Sequence, residues 1–449
     1  MAQNRQAHRL GVPGLDEELG EVPRGYVILV AGYPGSGKTT FASQFVYEGL
    51  REGERALYVS FVEPRDEFYR NSLRLGMDFR PYESEGLFRY YEALNVASPD
   101  ALSDLVQDVL AQVDSMVASR LVVDSVTAIS QLAGDAPRAR EVLHSALYAG
   151  LKRRGVTTVL IAELPIGSDR AGLGPEEFIA DGVIVMKYRL ARGKMERYAE
   201  VRKMRGFSVR LARMPIAITD RGVAFPAPLS ISSLPSAVRP RRTINLLGLQ
   251  VPEGAGVLIA HDPSVDPLWF DVAMVVAPAL RAGLRVRYSS YIHGQRTLRH
   301  AVEECLGQVP DSLTVESFDA SSLTAGEAEL ETYLNDTSFK PDLVVVEGMN
   351  VLAEFLERSD YMGVIYRVLN RRASMGITTV HLYAAHRERV WEAPLVNYYD
   401  YVLYAGPEGQ GLRLEYLRSL GSVTPAGAVA IEAKDVSCGS AVNVGVKQA

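Results

Sequence analysis

The chain has 449 residues, 47% hydrophobic and 23% charged, an ordinary globular composition too long for one core and matched to two or three domains. A net charge of −6 and a pI near 5.8 exclude a global electrostatic pull towards nucleic acid or anionic membranes. Two cysteines, Cys305 and Cys438, are too few for a disulfide framework and too far apart for a metal cluster; with no apolar leader core and no run of spanning length, a soluble, cytoplasmic protein is expected.

In chain order, strands are predicted over 25–32, 55–61, 120–126, 157–164 and 181–188, separated by helices over about 37–51, 99–118 and 137–154. Apolar β-branched runs alternating with amphipathic helices imply a largely parallel sheet covered on both faces, whose ligands bind at the carboxyl ends of strands. Strands near 197–204 and 215–225 follow short connections and are expected to extend that sheet antiparallel. The stretch PAPLSISSLPSAVRP, 226–240, is proline- and serine-rich and without periodicity, the composition of a linker. The expected domains are therefore 1–229 and 243–449, joined by a linker over 230–242.

The second half repeats the first. Strands are predicted over 256–262, 286–291, 341–349, 376–385 and 398–406, with a helix from the first of these to about 282. GLREGERALYVSF (49–61) matches ALRAGLRVRYSSY (279–291), RRGVTTVLIAE (153–163) matches SMGITTVHLYA (374–384), and LVVDS (121–125) matches LVVVEG (343–348), in one order at offsets near 220–230. This reads as a tandem duplication.

GYPGSGKT, 32–39, satisfies G-x-x-x-x-G-K-[ST] between a strand and a helix. Its glycines, Gly32, Gly35 and Gly37, let consecutive N–H groups turn on an anion, and Pro34, Ser36 and Thr40 complete the loop and the helix start. Lys38 supplies charge to the β and γ phosphates, and the Thr39 hydroxyl is the expected Mg²⁺ ligand. Asp124, ending LVVD, is the expected second metal residue. Glu63, just past the strand ALYVSF, is the candidate that orients or deprotonates the attacking water. Lys203 and Arg205, two apart on an expected strand, would share one face and call for an anion there, such as a neighbouring subunit's phosphate.

Together these segments resemble the KaiC-like branch of the RecA superfamily. GVPGLDEELGEVPRGYVILVAGYPGSGKTTFASQFVYEGLREGERALYVSFVEP, EEFIADGVIVMKY (176–188) and RKMRG (202–206) carry the resemblance across the first half. It implies an α/β fold of two tandem RecA-like P-loop NTPase-type domains with mostly parallel central sheets, ATP and Mg²⁺ as ligands, and a homo-oligomer, a hexameric ring favoured, with ATP between subunits. It assigns Lys203 and Arg205 the role of a finger acting in trans. Where the family often has two adjacent glutamates, this chain has Val62 and Glu63, which implies slow hydrolysis.

In the second half HDPSVDPL (261–268) stands where the P-loop would be, with Pro267 in the lysine position and Asp262 and Asp266 opposing phosphate. His293 falls opposite Glu63, Glu347 opposite Asp124, Arg418 opposite Lys203 and Leu420 opposite Arg205. The second domain is accordingly expected to be degenerate, a nucleotide-free element for assembly or for an unknown protein partner, and clock function is not carried over. Two other readings stand beside the slow regulatory ATPase: a RecA-like DNA-binding repair accessory, disfavoured because PIGSDRAGLGPEEFI (165–179) has one Arg against three acids, and an ATP-binding scaffold with negligible turnover.

Overall fold

The protein, as a computed structural model, is described over residues 7–93, 99–133, 141–142, 148–167, 179–191, 194–209, 213–225, 242–409, 411–419 and 427–431. It divides into two compact units, Met1–Pro228 and Leu229–Ala449.

In the first unit, β1 (Val27–Gly32) is buried along its whole length. Its alternate residues serve two cores: Ile28 and Val30 pack into one cluster, Val27, Leu29 and Ala31 into another. Such a continuous apolar run suits a central strand with both faces covered. The other strands of this eight-stranded sheet are β2 (Ala56–Ser60), β3 (Phe88–Glu92), β4 (Arg120–Asp124), β5 (Thr157–Glu163), β6 (Gly182–Ala191), β7 (Lys194–Met204) and β8 (Arg213–Pro215). They lie in the order β3-β2-β4-β5-β1-β6-β7-β8. Pairings from β3 to β6 are parallel, and β7 and β8 extend the sheet antiparallel. Arg120, at the start of β4, is fully buried and pairs with Glu54, which also holds His8.

The second unit repeats this plan strand for strand. The strands of its eight-stranded sheet are β9 (Gly256–His261), β10 (Val286–Ser290), β11 (Leu313–Ser317), β12 (Leu343–Glu347), β13 (Thr378–Ala384), β14 (Tyr401–Glu408), β15 (Gly411–Arg418) and β16 (Gly427–Ile431). The order β11-β10-β12-β13-β9-β14-β15-β16 is the first sheet's order displaced by eight strands, with the same parallel core and antiparallel extension. Val257 and Ile259 face one core, Leu258 and Ala260 the other, as in β1.

Expected and observed elements differ at the edges. β3 and β11 were not anticipated, because FRYYE and LTVES mix charge with apolar residues and sit on exposed edges. Residues 215–225 do not simply extend the sheet: Ala217–Thr219 and Gly222–Ala224 form a hairpin of their own. That hairpin packs on α1 (Lys38–Arg51), where the Gln44 amide pairs both ways with the Val223 backbone, at 2.9 and 2.6 Å. Most of the expected linker and residues 168–178 of the DNA-loop candidate lie outside the described residues.

Candidate nucleotide site

Strand register places the functional side chains. Gly32 pairs with Glu163 and with Met186, and Ser60 pairs with Asp124, so the carboxyl ends of β1, β2, β4 and β5 come level at one edge. The loop after β1 crosses this edge and enters α1 through Gly37, whose φ of +101° is open to glycine and hostile to a side chain. Gly32 is restricted by space: a Cβ there would lie 2.0 Å from the Met186 carbonyl oxygen.

Lys38, the first residue of α1, is buried, and its Nζ donates to the Tyr33 carbonyl at 2.9 Å. Burial pulls the ammonium pKa down, while Glu163 and Asp124 oppose the shift. The Thr39 hydroxyl donates to Asp124 Oδ2 at 3.0 Å, and the Tyr58 hydroxyl donates to the same oxygen at 3.0 Å. Burial pushes the Asp124 carboxyl up, against those two hydrogen bonds and the Lys38 charge. Glu63 follows β2 at the same edge; its side chain accepts from Asn71 at 2.7 Å, and burial raises its pKa, with Glu67 and Asp124 adding to the shift. Val62 beside it is 58% exposed.

The residues present fit Mg-ATP. The Ser36 hydroxyl is fully buried inside the loop with no hydrogen-bond partner, a donor awaiting an acceptor. Lys38 is held on a loop carbonyl it would exchange for phosphate, and the Thr39–Asp124 pair offers a hydroxyl and a carboxylate to one cation. Pro34 and Gly35 are exposed at the loop tip, and Thr40 lies in the first turn of α1.

Lys203 and Arg205 stand elsewhere. Lys203 pairs with Val183, which pairs with Leu29, and the Arg205 N–H donates to the Asp181 carbonyl beside Val27. Arg205 is thus at the amino end of β1, five residues of strand or roughly 16 Å from Gly32. The expectation that both cations lie on one strand face is corrected: β7 ends at Met204, and Arg205 sits in the turn before Gly206, whose φ is +85°. There its guanidinium meets Asp181 at 3.4 Å and remains 54% exposed.

Two residues at the site were missed. Glu163 ends β5 as Asp124 ends β4, so the strand-end rule that found one applied to the other. Tyr58 carried no motif; only the register of β2 against β4 brings it to Asp124.

At the same edge of the second unit, the helix after β9 begins at Pro267, six residues past His261, as α1 begins six past Gly32. Asp266 caps that helix and accepts from Trp269 N–H at 2.9 Å. Asp262 Oδ1 accepts from the Ser264 N–H and hydroxyl, Oδ2 accepts from Tyr404 at 3.1 Å, and its carboxyl is held well below the usual range, chiefly by Ser264. Glu347 is buried and meets His293 Nδ1 at 2.8 Å. Leu420 lies outside the described residues.

A family model described as the KaiC ATPase matches residues 8–229. A UPF0273 protein of Pyrococcus horikoshii is 31% identical over 229 residues, 48% of this chain and 92% of its own length. The chain belongs to the KaiC family of ATPases. Among its KaiC relatives, the circadian clock protein KaiC3 of Synechocystis is 33% identical over 233 residues, 50% of this chain and 46% of its own length. The circadian clock oscillator protein KaiC of Acaryochloris marina is 27% identical over 372 residues, 76% of this chain and 69% of its own. That last match runs past the first unit, in keeping with the KaiC-like tandem plan seen in the two sheets.

Proposed function

We propose that this KaiC-family protein is a soluble, cytoplasmic, slowly hydrolysing Mg-dependent regulatory ATPase that works as a head-to-tail homo-oligomer, with one nucleotide engine per chain. The observation that carries this reading is the separation within one unit: the P-loop follows the carboxyl end of β1, while Arg205 lies at its amino end, beside Asp181 and Val27, and Lys203 is level with Leu29 between them. A cation at the far end cannot reach its own site, so it serves a neighbour's, and a ring, a hexamer by family analogy, closes the arrangement.

In this reading Lys38 leaves the Tyr33 carbonyl for the β and γ phosphates, and the backbone N–H groups of the loop cradle them. Thr39 and Asp124 would hold magnesium, which would supply positive charge beside the phosphates. Glu63, its pKa raised by burial and neighbouring acids, orients the water and accepts its proton. Val62 leaves it without a second carboxylate, which favours a slow switch. The second unit, capped internally by Asp266 and lacking the lysine, serves assembly or partner binding.

Light scattering with and without Mg-ATP, on wild type and Lys38→Ala, tests the reading. Wild type should assemble with Mg-ATP by more than the variant does; a monomer under every condition refutes the trans finger. The DNA-binding alternative is disfavoured by the acid-rich 165–179 segment, and DNA-stimulated turnover would be its signature.

A further inference from the structure

We propose that the second unit carries a self-association surface that needs no nucleotide, in which an aromatic pocket on one copy receives the Trp269–Ile292 edge of another. The proposal builds on the head-to-tail reading above.

Arg418 is the structural counterpart of Lys203. Lys203 pairs with Val183, second residue of β6, and Arg418 pairs with Val402, second residue of β14. Yet Arg418 is turned inward. Its guanidinium donates to the Val396 carbonyl at 2.9 Å and to Asn397 Oδ1 at 3.1 Å, and lies 5.4 Å from the centre of the Trp391 ring. With both of these nitrogens engaged on its own unit, it is not extended towards a neighbour's phosphate.

Instead it fixes the 391–398 segment around a cavity of about 590 Å³, lined by Trp391, Leu395, Tyr398, Met362 and Arg358 among others. Trp391 and Tyr398 are 45% and 56% exposed, although Trp391 is held by Arg418 and Tyr398 stands edge-on to Tyr366 at 5.1 Å. Pre-ordered, exposed aromatics around a concavity are the anatomy of an interface anchor site. Among the described residues Arg358 makes no ion pair.

The matching surface lies at the carboxyl edge of the same sheet. Trp269 and Ile292 are 38% and 48% exposed there, at the positions of Thr40 and Val62 in the first unit. Asp262 and Asp266 flank them. The pocket's own acid, Glu392, is paired with Arg389 at 2.8 Å, which leaves Arg358 as the pocket's charge without an ion pair, so an acidic, apolar edge meets a lining complementary to it in hydropathy and charge. Two different patches on one unit make a heterologous contact, the polarity that the first unit's trans finger requires. Apolar burial replaces phosphate as the link between copies.

Sedimentation velocity of the full chain, nucleotide-free, tests this. Wild type and Lys38→Ala should both self-associate. Tyr398→Glu and Ile292→Arg should each weaken association at least tenfold, and the double variant Tyr398→Glu/Ile292→Arg should recover most of it by pairing the new charges. Nucleotide-free wild type that stays monomeric, single variants that associate normally, or a double variant no better than the singles would each overturn the proposal. A wild type that assembles only with Mg-ATP sinks this inference and leaves the head-to-tail reading standing; a monomer even with Mg-ATP sinks that reading too.

Discussion

The Thr39 hydroxyl and the Asp124 carboxylate, 85 residues apart in sequence, share a 3.0 Å hydrogen bond at the end of the first sheet. The bond joins the P-loop to the strand-end acid, the two groups proposed above to hold magnesium. It also partly compensates a carboxyl that burial otherwise disfavours as an anion.

That disfavour has a sign in stability. The folded pKa of Asp124 is raised above its unfolded value, so the folded state gains a proton in the interval between them. The stabilisation from that proton is complete below the unfolded pKa and is lost as pH rises through the folded one. Asp124→Asn removes the buried charge. Nucleotide-free Asp124→Asn should therefore have a higher urea midpoint than wild type at pH 8, a difference that shrinks on acidification through the raised pKa, while turnover is lost. An offset that does not shrink on acidification contradicts this account.

Lys38→Ala should weaken nucleotide binding at least about 100-fold, and Arg205→Ala should leave binding within a few-fold of wild type while lowering turnover by roughly 10³, the scale of an arginine finger. Because the finger is assigned in trans, an equimolar mixture of the two inactive variants should recover part of the wild-type turnover. Each mixed contact with a good P-loop on one copy and a good finger on the next is competent. Absence of complementation in mixtures shown to co-assemble argues that Arg205 acts only on Asp181 within its own unit.

Val62→Glu should raise turnover by about tenfold or more with little change in nucleotide affinity, because it adds a carboxylate beside Glu63 at an exposed position that burial will not penalise. Glu63→Gln should lower turnover by roughly 10² or more, the lower end of the range for general acid–base groups. If Val62→Glu leaves the rate unchanged, slow hydrolysis has another cause.

The sequence was most informative where chemistry needs fixed spacing. Gly32 to Thr39 could be read outright, and Asp124 and Glu63 followed from strand ends, because a parallel sheet gathers its carboxyl termini at one edge. Arg205 was misplaced because periodicity cannot say that a strand stops one residue early at a glycine turn. Tyr58 and Gln44 were invisible because their partners, Asp124 and Val223, are set by tertiary register. In the second half the loss of the lysine was plain, but the use made of its replacements was not. The capping by Asp266 and the inward turn of Arg418 depend on side-chain direction, which spacing does not encode.

The second unit should add no nucleotide. Equilibrium binding to the full chain should saturate at one nucleotide per chain, and Pro267→Lys alone should not raise it to two. The helix start after β9 is already occupied by a carboxylate: Asp266 holds the Trp269 N–H that a phosphate oxygen would otherwise attract. Asp262 is held ionised by Ser264 two residues into the loop, so a second negative charge faces any entering phosphate. At an effective dielectric of about 20, two unit charges 4 Å apart repel by about 4 kcal/mol, a thousandfold in affinity from a single carboxylate. A lysine at 267 would supply one attraction and leave both repulsions. Restoring a second site should require Asp262 and Asp266 to be replaced together with the lysine, so a stoichiometry of two in the Pro267→Lys single variant would show that the loop was never the barrier.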